Sequence, residues 1–125
     1  SMSELGAIRL DNTACDEFWS EERCFITELM NSSDQPNGSL ALARVEPGVT
    51  TQLHALAGLS ETYTVRKGTG LAKVNGRTHR LNCGESLIIP KGASQQITND
   101  GTEDLQFYCL CTPRFTPNCY INLES

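Results

Sequence analysis

The chain has 125 residues, enough for one domain with its own core and too few for two ordinary ones. Its net charge is −5, from 10 Lys and Arg against 15 Asp and Glu, and the cations are scattered rather than striped. This argues against nucleic acid, which demands a basic stripe to displace counterions from phosphates, and against an anionic membrane surface. No apolar run approaches the roughly 18 residues of a membrane helix. No charged-then-apolar leader opens the chain, so the cytoplasm is the expected compartment. Ser1 ahead of Met2 reads as a tag remnant.

Taken in chain order, residues 16–22 (DEFWSEE) are expected as one helical turn or a loop. RCFITELM (23–30) is apolar enough for a strand, and NSSDQPNG (31–38) is loop chemistry throughout. SLALARVEPG (39–48) is a strand stopped by Pro47-Gly48. Further strands are expected at 51–56, 61–66, 70–74, 77–81, 86–89, 95–99 and 105–111. Asn75-Gly76 is a strong two-residue hairpin signal, because a type I′ turn needs positive φ at both positions. Many short strands separated by turns predict an all-β barrel or sandwich. The chain divides into an N-terminal segment, 1–30, a barrel, 31–112, and an extended C-terminal tail, 113–125, carrying Pro113 and Pro117.

Six cysteines form no C-x2-C pair, so neither a zinc site nor a disulfide framework is indicated. They read as reduced, mostly buried small hydrophobes. Cys109 and Cys111 share one strand face, and Cys109 is the thiol to watch.

The stretch GVTTQLHALAGLSETYTVRKGTG (48–70) holds one histidine and one glutamate. If 57–60 is a hairpin loop, Leu56 lies opposite Glu61 and His54 opposite Tyr63, with all four side chains on one face. His54 and Glu61 then become diagonal neighbours, able to share a ligand or a metal.

Here the chain resembles the cupin superfamily. The first motif of that family is Gly-x5-His-x-His, three or four residues, Glu, six residues, Gly. This sequence has Gly48, His54, Leu56, Glu61 and Gly68 at those positions. The second motif, Gly-x5-Pro-x-Gly-x2-His-x3-Asn, reads Gly84, Pro90, Gly92, Gln95 and Asn99. The resemblance runs from about Ser39 to Cys111 and implies a double-stranded antiparallel jelly-roll barrel, usually with a divalent ion held by three His and one Glu.

Two of those four ligand positions depart, at Leu56 and Gln95. Leucine cannot ligate, and a glutamine oxygen is a weak, hard ligand. Three readings stay open. His54, Glu61 and Gln95 hold one divalent ion (Fe, Mn, Ni or Zn), weakly if at all, for dioxygenase- or isomerase-like chemistry. Alternatively, no metal binds, and His54, Glu61, Tyr63 and Gln95 engage an organic ligand, as in sugar or oxo-acid isomerases and epimerases. Or the site is vestigial and the residues merely satisfy one another. The contrasting class is a non-catalytic binding module that uses the same pocket without turnover.

His54, Glu61 and Tyr63 are the candidate catalytic residues. Arg44, Gln52 and Gln95 are the candidate substrate contacts, Arg44 because an inward guanidinium fork would suit a carboxylate or phosphate. His79 reads as surface and Arg114 as packing. The expected ligand is a small, polar, anionic molecule. A homodimer is expected, with 23–30 pairing against the edge of a second copy.

Overall fold

The computed structural model describes residues 6–124. Ser1, expected to be a tag remnant, lies outside the described residues. Eleven strands and one short 3-10 turn, Pro117–Cys119, make up the fold. They are β1 (Phe18–Ser20), β2 (Cys24–Met30), β3 (Ser39–Val45), β4 (His54–Leu56), β5 (Ser60–Lys67) and β6 (Thr69–Val74). The rest are β7 (Arg77–Asn82), β8 (Ser86–Ile89), β9 (Gln95–Thr98), β10 (Leu105–Thr112) and β11 (Tyr120–Asn122). One sheet runs β1-β2-β3-β10-β5-β8 and the other β11-β4-β9-β6-β7, with every pairing antiparallel. This is the expected all-β jelly-roll barrel. No helix among the described residues is long and apolar enough to cross a membrane.

Alternation decides what faces the barrel. In β5, Glu61, Tyr63 and Val65 are buried, while Thr62, Thr64 and Arg66 face outward. In β10, Leu105, Phe107 and Cys111 point in. Val45, Val65, Ile89, Ile97 and Leu105 from both sheets close the core at 2% exposure or less. At Gly70 a Cβ would meet the Leu105 Cδ2 atom at 2.7 Å, so only glycine lets the sheets approach there. The β6–β7 hairpin turns on Asn75 (φ 49°) and Gly76 (φ 79°), as its sequence requires.

Two expectations need correction. β4 and β5 do not form a hairpin. Both edges of β4 are occupied, by β11 and by Gln95 of β9, so β5 crosses to the other sheet between β10 and β8. The stretch 16–22 is neither helix nor plain loop: Phe18–Ser20 pairs with Cys24–Ile26 around a tight turn. β2 lies between β1 and β3 of the same chain, with β1 covering its outer edge only along Cys24–Ile26. The tail after Pro113 ends in an extended segment that docks on the barrel. Tyr120–Asn122 pairs with His54–Leu56 and becomes part of the smaller sheet.

Candidate functional site

The barrel encloses a cavity of about 330 Å³. His54, Leu56, Glu61 and Tyr63 all line it, from opposite sheets rather than from one hairpin. The N-terminal strands supply a wall through alternate residues, among them Phe18, Ser20, Cys24, Ile26 and Met30. Cys109, the thiol singled out in the sequence, faces the cavity, as does Cys111.

His54 is 3% exposed and held on three sides. Its Nδ1 lies 2.8 Å from the Gln52 carbonyl oxygen. A carbonyl only accepts, so Nδ1 carries a proton and donates it. Its Nε2 lies 3.3 Å from Glu22 Oε1. That contact is favourable only if a proton sits between the two atoms, on the ring or on the carboxyl. The Tyr120 ring stacks on the imidazole at 4.8 Å between centroids and 14° between planes. Burial raises the pKa of the Glu22 carboxyl, and the charge of His54 opposes that rise. Glu22 and Tyr120 were not legible as site residues: Glu22 sits in SEER, which reads as a solvated turn, and Tyr120 in a tail with no motif.

Glu61 faces the same cavity and is 8% exposed. Burial, and next the charge of Glu22, push its carboxyl up to about 7, while the Cys111 thiol, donating to Oε2 at 3.5 Å, pulls weakly the other way. A carboxyl at that value both gives and takes a proton near neutrality. The Tyr63 hydroxyl donates to Gln95 Oε1 at 2.6 Å. Burial, then the Glu61 charge, hold Tyr63 well above the usual phenol value, so it stays neutral. Burial likewise pushes the Cys24 thiol up to about 12, keeping it a thiol rather than a thiolate.

The remaining candidates fall outside the cavity wall. Gln95 lies opposite His54 in the sheet and is 2% exposed, but sits behind Tyr63. The Gln52 side chain accepts from the Tyr120 hydroxyl, and its contribution to the site is the backbone carbonyl on His54. Arg44 is a correction. Alternation puts Ala43 and Val45 inward and Arg44 outward, where it pairs with Glu17 at 2.7 Å and Asp104 at 3.1 Å over the Phe25 ring. Arg114 donates to Asn31 Oδ1 at 2.8 Å, a packing role at the cavity wall. Among the described residues no Lys or Arg lines the cavity, whereas Glu22, Glu28 and Glu61 do. The expectation of an anionic ligand rested on Arg44 and loses that support.

The profile of a family described as "Cupin domain" matches residues 41–111, more than half of the chain. The chain belongs to the cupin family. This cupin is 28% identical over 87 residues to an oxalate-binding protein of Thermotoga maritima, an alignment covering 68% of this chain and 72% of that one. Its fold is similar to that of the Streptomyces nucleoside dehydratase Pac13, with a TM-score of 0.79 at 14% identity over 95% and 92% of the two chains. KdgF from Halomonas sp. is comparable, with a TM-score of 0.76 at 15% identity over 88% and 96%.

Many cupins hold a divalent ion, but the donor set here does not fit one. The ligating oxygen of Gln95 already receives the Tyr63 proton, and His54 has both nitrogens engaged, by Gln52 and Glu22. Leu56 fills the place of a second histidine. Among the described residues no three His, Cys, Asp or Glu side chains are grouped to bind a metal. What the site does offer is the His54–Glu22 contact and a second carboxyl, Glu61, facing one largely apolar cavity.

Proposed function

We propose that this cupin binds a small, uncharged molecule bearing hydroxyl or carbonyl groups and moves a proton on it, in an isomerisation, epimerisation or dehydration. His54, backed by Glu22, and Glu61 are the two proton carriers, and Tyr63 with Gln95 forms the polar floor beneath them. The observation that carries this reading is the pairing of a one-proton His54–Glu22 contact with a carboxyl of pKa about 7 in one cavity without a cation. Acid–base chemistry of this type needs one group to take a proton as another gives one, and both must lie within reach of one substrate.

The charge balance favours a neutral ligand. Oxalate, the ligand named for the Thermotoga relative, is a dianion and would meet three carboxyl groups with no balancing cation. Uridine, bound in Pac13 structures, is neutral and hydroxylated.

Calorimetric titration tests the reading, with uridine and a panel of neutral sugars as probes and oxalate as the contrast. Saturable binding of a neutral probe is expected, with oxalate silent whether or not Fe, Mn, Ni or Zn is added. Elemental analysis is expected to find metal well below one equivalent. Oxalate binding that depends on added metal would overturn the reading. For a neutral ligand that binds, His54→Gln and Glu61→Gln should lower turnover by roughly 100-fold or more, the usual weight of a general acid or base. Binding with no turnover in the parent protein would make this a binding module instead.

A further inference from the structure

Both terminal segments converge on His54, and one exposed ion pair joins them. Glu22 sits in the tight turn between β1 and β2, closed by Arg23 N–H donating to the Ser20 carbonyl at 3.1 Å. The next residue, Arg23, has φ +68°, in the left-handed region that a residue with a Cβ seldom enters. Turns of this kind ordinarily take Gly or Asn there. The Arg23 side chain explains why an arginine occupies the position. Its Nε donates to the Thr50 carbonyl at 2.9 Å, and Nη1 and Nη2 grip the two oxygens of Glu124 at 3.0 and 2.7 Å. Glu124 Oε2 also accepts from the Leu53 N–H at 2.8 Å, beside His54. Arg23 and that N–H hold the Glu124 carboxyl down to about 2, so the pair is charged at any physiological pH.

We propose that Arg23 and Glu124 are positioning residues for His54, locking the turn that carries Glu22 to the strand that carries Tyr120. One arm of this clamp sets Glu22 against Nε2; the other sets the Tyr120 ring against the imidazole face. The Gln52 backbone joins the arms, its N–H donating to the Glu22 carbonyl at 2.9 Å and its side chain accepting from the Tyr120 hydroxyl. A stabilising role alone does not account for the arrangement. Side chains 43% and 34% exposed gain little from Coulomb attraction in water, whereas a bidentate fork fixes direction. The backbone conformation of Arg23 works against stability at the same place.

This inference rests on His54 and Glu22 acting as a unit, and its test needs no ligand. Imidazole nitrogen and Cε1–H signals of His54 are recorded by NMR for the parent, Glu22→Gln, Arg23→Gly, Arg23→Lys and Glu124→Gln. Arg23→Gly relieves the turn while removing the clamp, so the fold should persist with little change in Tm. The expected result is that Arg23→Gly and Glu124→Gln move the Nε2 signal in the direction set by Glu22→Gln, by at least half as much. The Tyr120 ring-current shift on Cε1–H should weaken as well. Arg23→Lys, which keeps the charge but not the fork, should restore only part of the parental spectrum. Parental His54 signals in Arg23→Gly and Glu124→Gln, with Glu22→Gln shifted, would overturn the clamp and leave the catalytic reading intact. Parental signals in Glu22→Gln itself would overturn the His54–Glu22 unit.

Discussion

Replacing Glu61 by glutamine should make the protein more stable above neutral pH and leave it unchanged below about pH 4.5. In the folded chain the carboxyl sits at about 7, against 4.5 for an ordinary glutamate, because burial penalises its charge. The folded state therefore holds this proton more tightly than the unfolded state does. Below about pH 4.5 both states are protonated and the advantage is fully present. Between about 4.5 and 7 the unfolded chain releases its proton first, and stability falls as pH rises. Above about 7 the loss is complete, at about 3 kcal/mol, from a shift of 7 − 4.5. Glutamine carries no charge at any pH and keeps an oxygen for the Cys111 thiol. Thermal melts near pH 4 should superimpose, while near pH 8 the variant should melt roughly 10 °C higher. Equal pH slopes in the two proteins would mean that Glu61 does not titrate in this range. A carboxyl where an amide would be more stable is a cost that a functional site carries and a structural core does not.

Strand positions and the inward set His54, Glu61 and Tyr63 were legible, because alternation and turn residues act locally. A period of two says which face a side chain takes, but not which sheet its strand joins. That is why His54, Leu56, Glu61 and Tyr63 share a cavity although β4 and β5 never pair. The same period could have excluded Arg44, which follows the inward Ala43. It could also have assigned Cys24, Ile26 and Met30 to the cavity, since they alternate along one strand. Glu22 and Tyr120 were beyond local reading. Each reaches His54 only after a terminal strand docks on the barrel, and Tyr120 lies 66 residues from it in the chain (120 − 54). The competition for the proposed metal ligands was hidden for a related reason. Spacing brought His54 and Gln95 together correctly, opposite one another in the sheet, but could not show that Tyr63 and Glu22 occupy their polar atoms.

Asn99→Ala should be the most damaging single truncation outside the cavity, and it should damage the fold without changing the site. Asn99 is completely buried. Its amide nitrogen donates to the Val45 carbonyl at 2.9 Å and to the Glu103 carbonyl at 2.8 Å, and its oxygen accepts from the Gly101 N–H at 3.0 Å. Its backbone adds bonds to Val49 and Gly48. One side chain thus fastens the end of β3 to the 100–104 loop and the start of β10. Alanine leaves a buried carbonyl and the groups around it without partners, at roughly 1–3 kcal/mol each. A loss of roughly 4 kcal/mol, with Tm lower by ~15 °C, is expected from thermal and denaturant melts. Asn99→Asp tests the mechanism, because an ionised carboxylate cannot donate to either carbonyl and should destabilise at least as much. A loss below about 1 kcal/mol for Asn99→Ala would mean that water replaces the amide and that these bonds do not fasten the loop. Because Asn99 does not line the cavity, the His54 signals of the folded Asn99→Ala fraction should match those of the parent. Stability and site chemistry then reside in different residues of the same motif, Asn99 holding the barrel closed and Gln95 supporting the cavity floor through Tyr63.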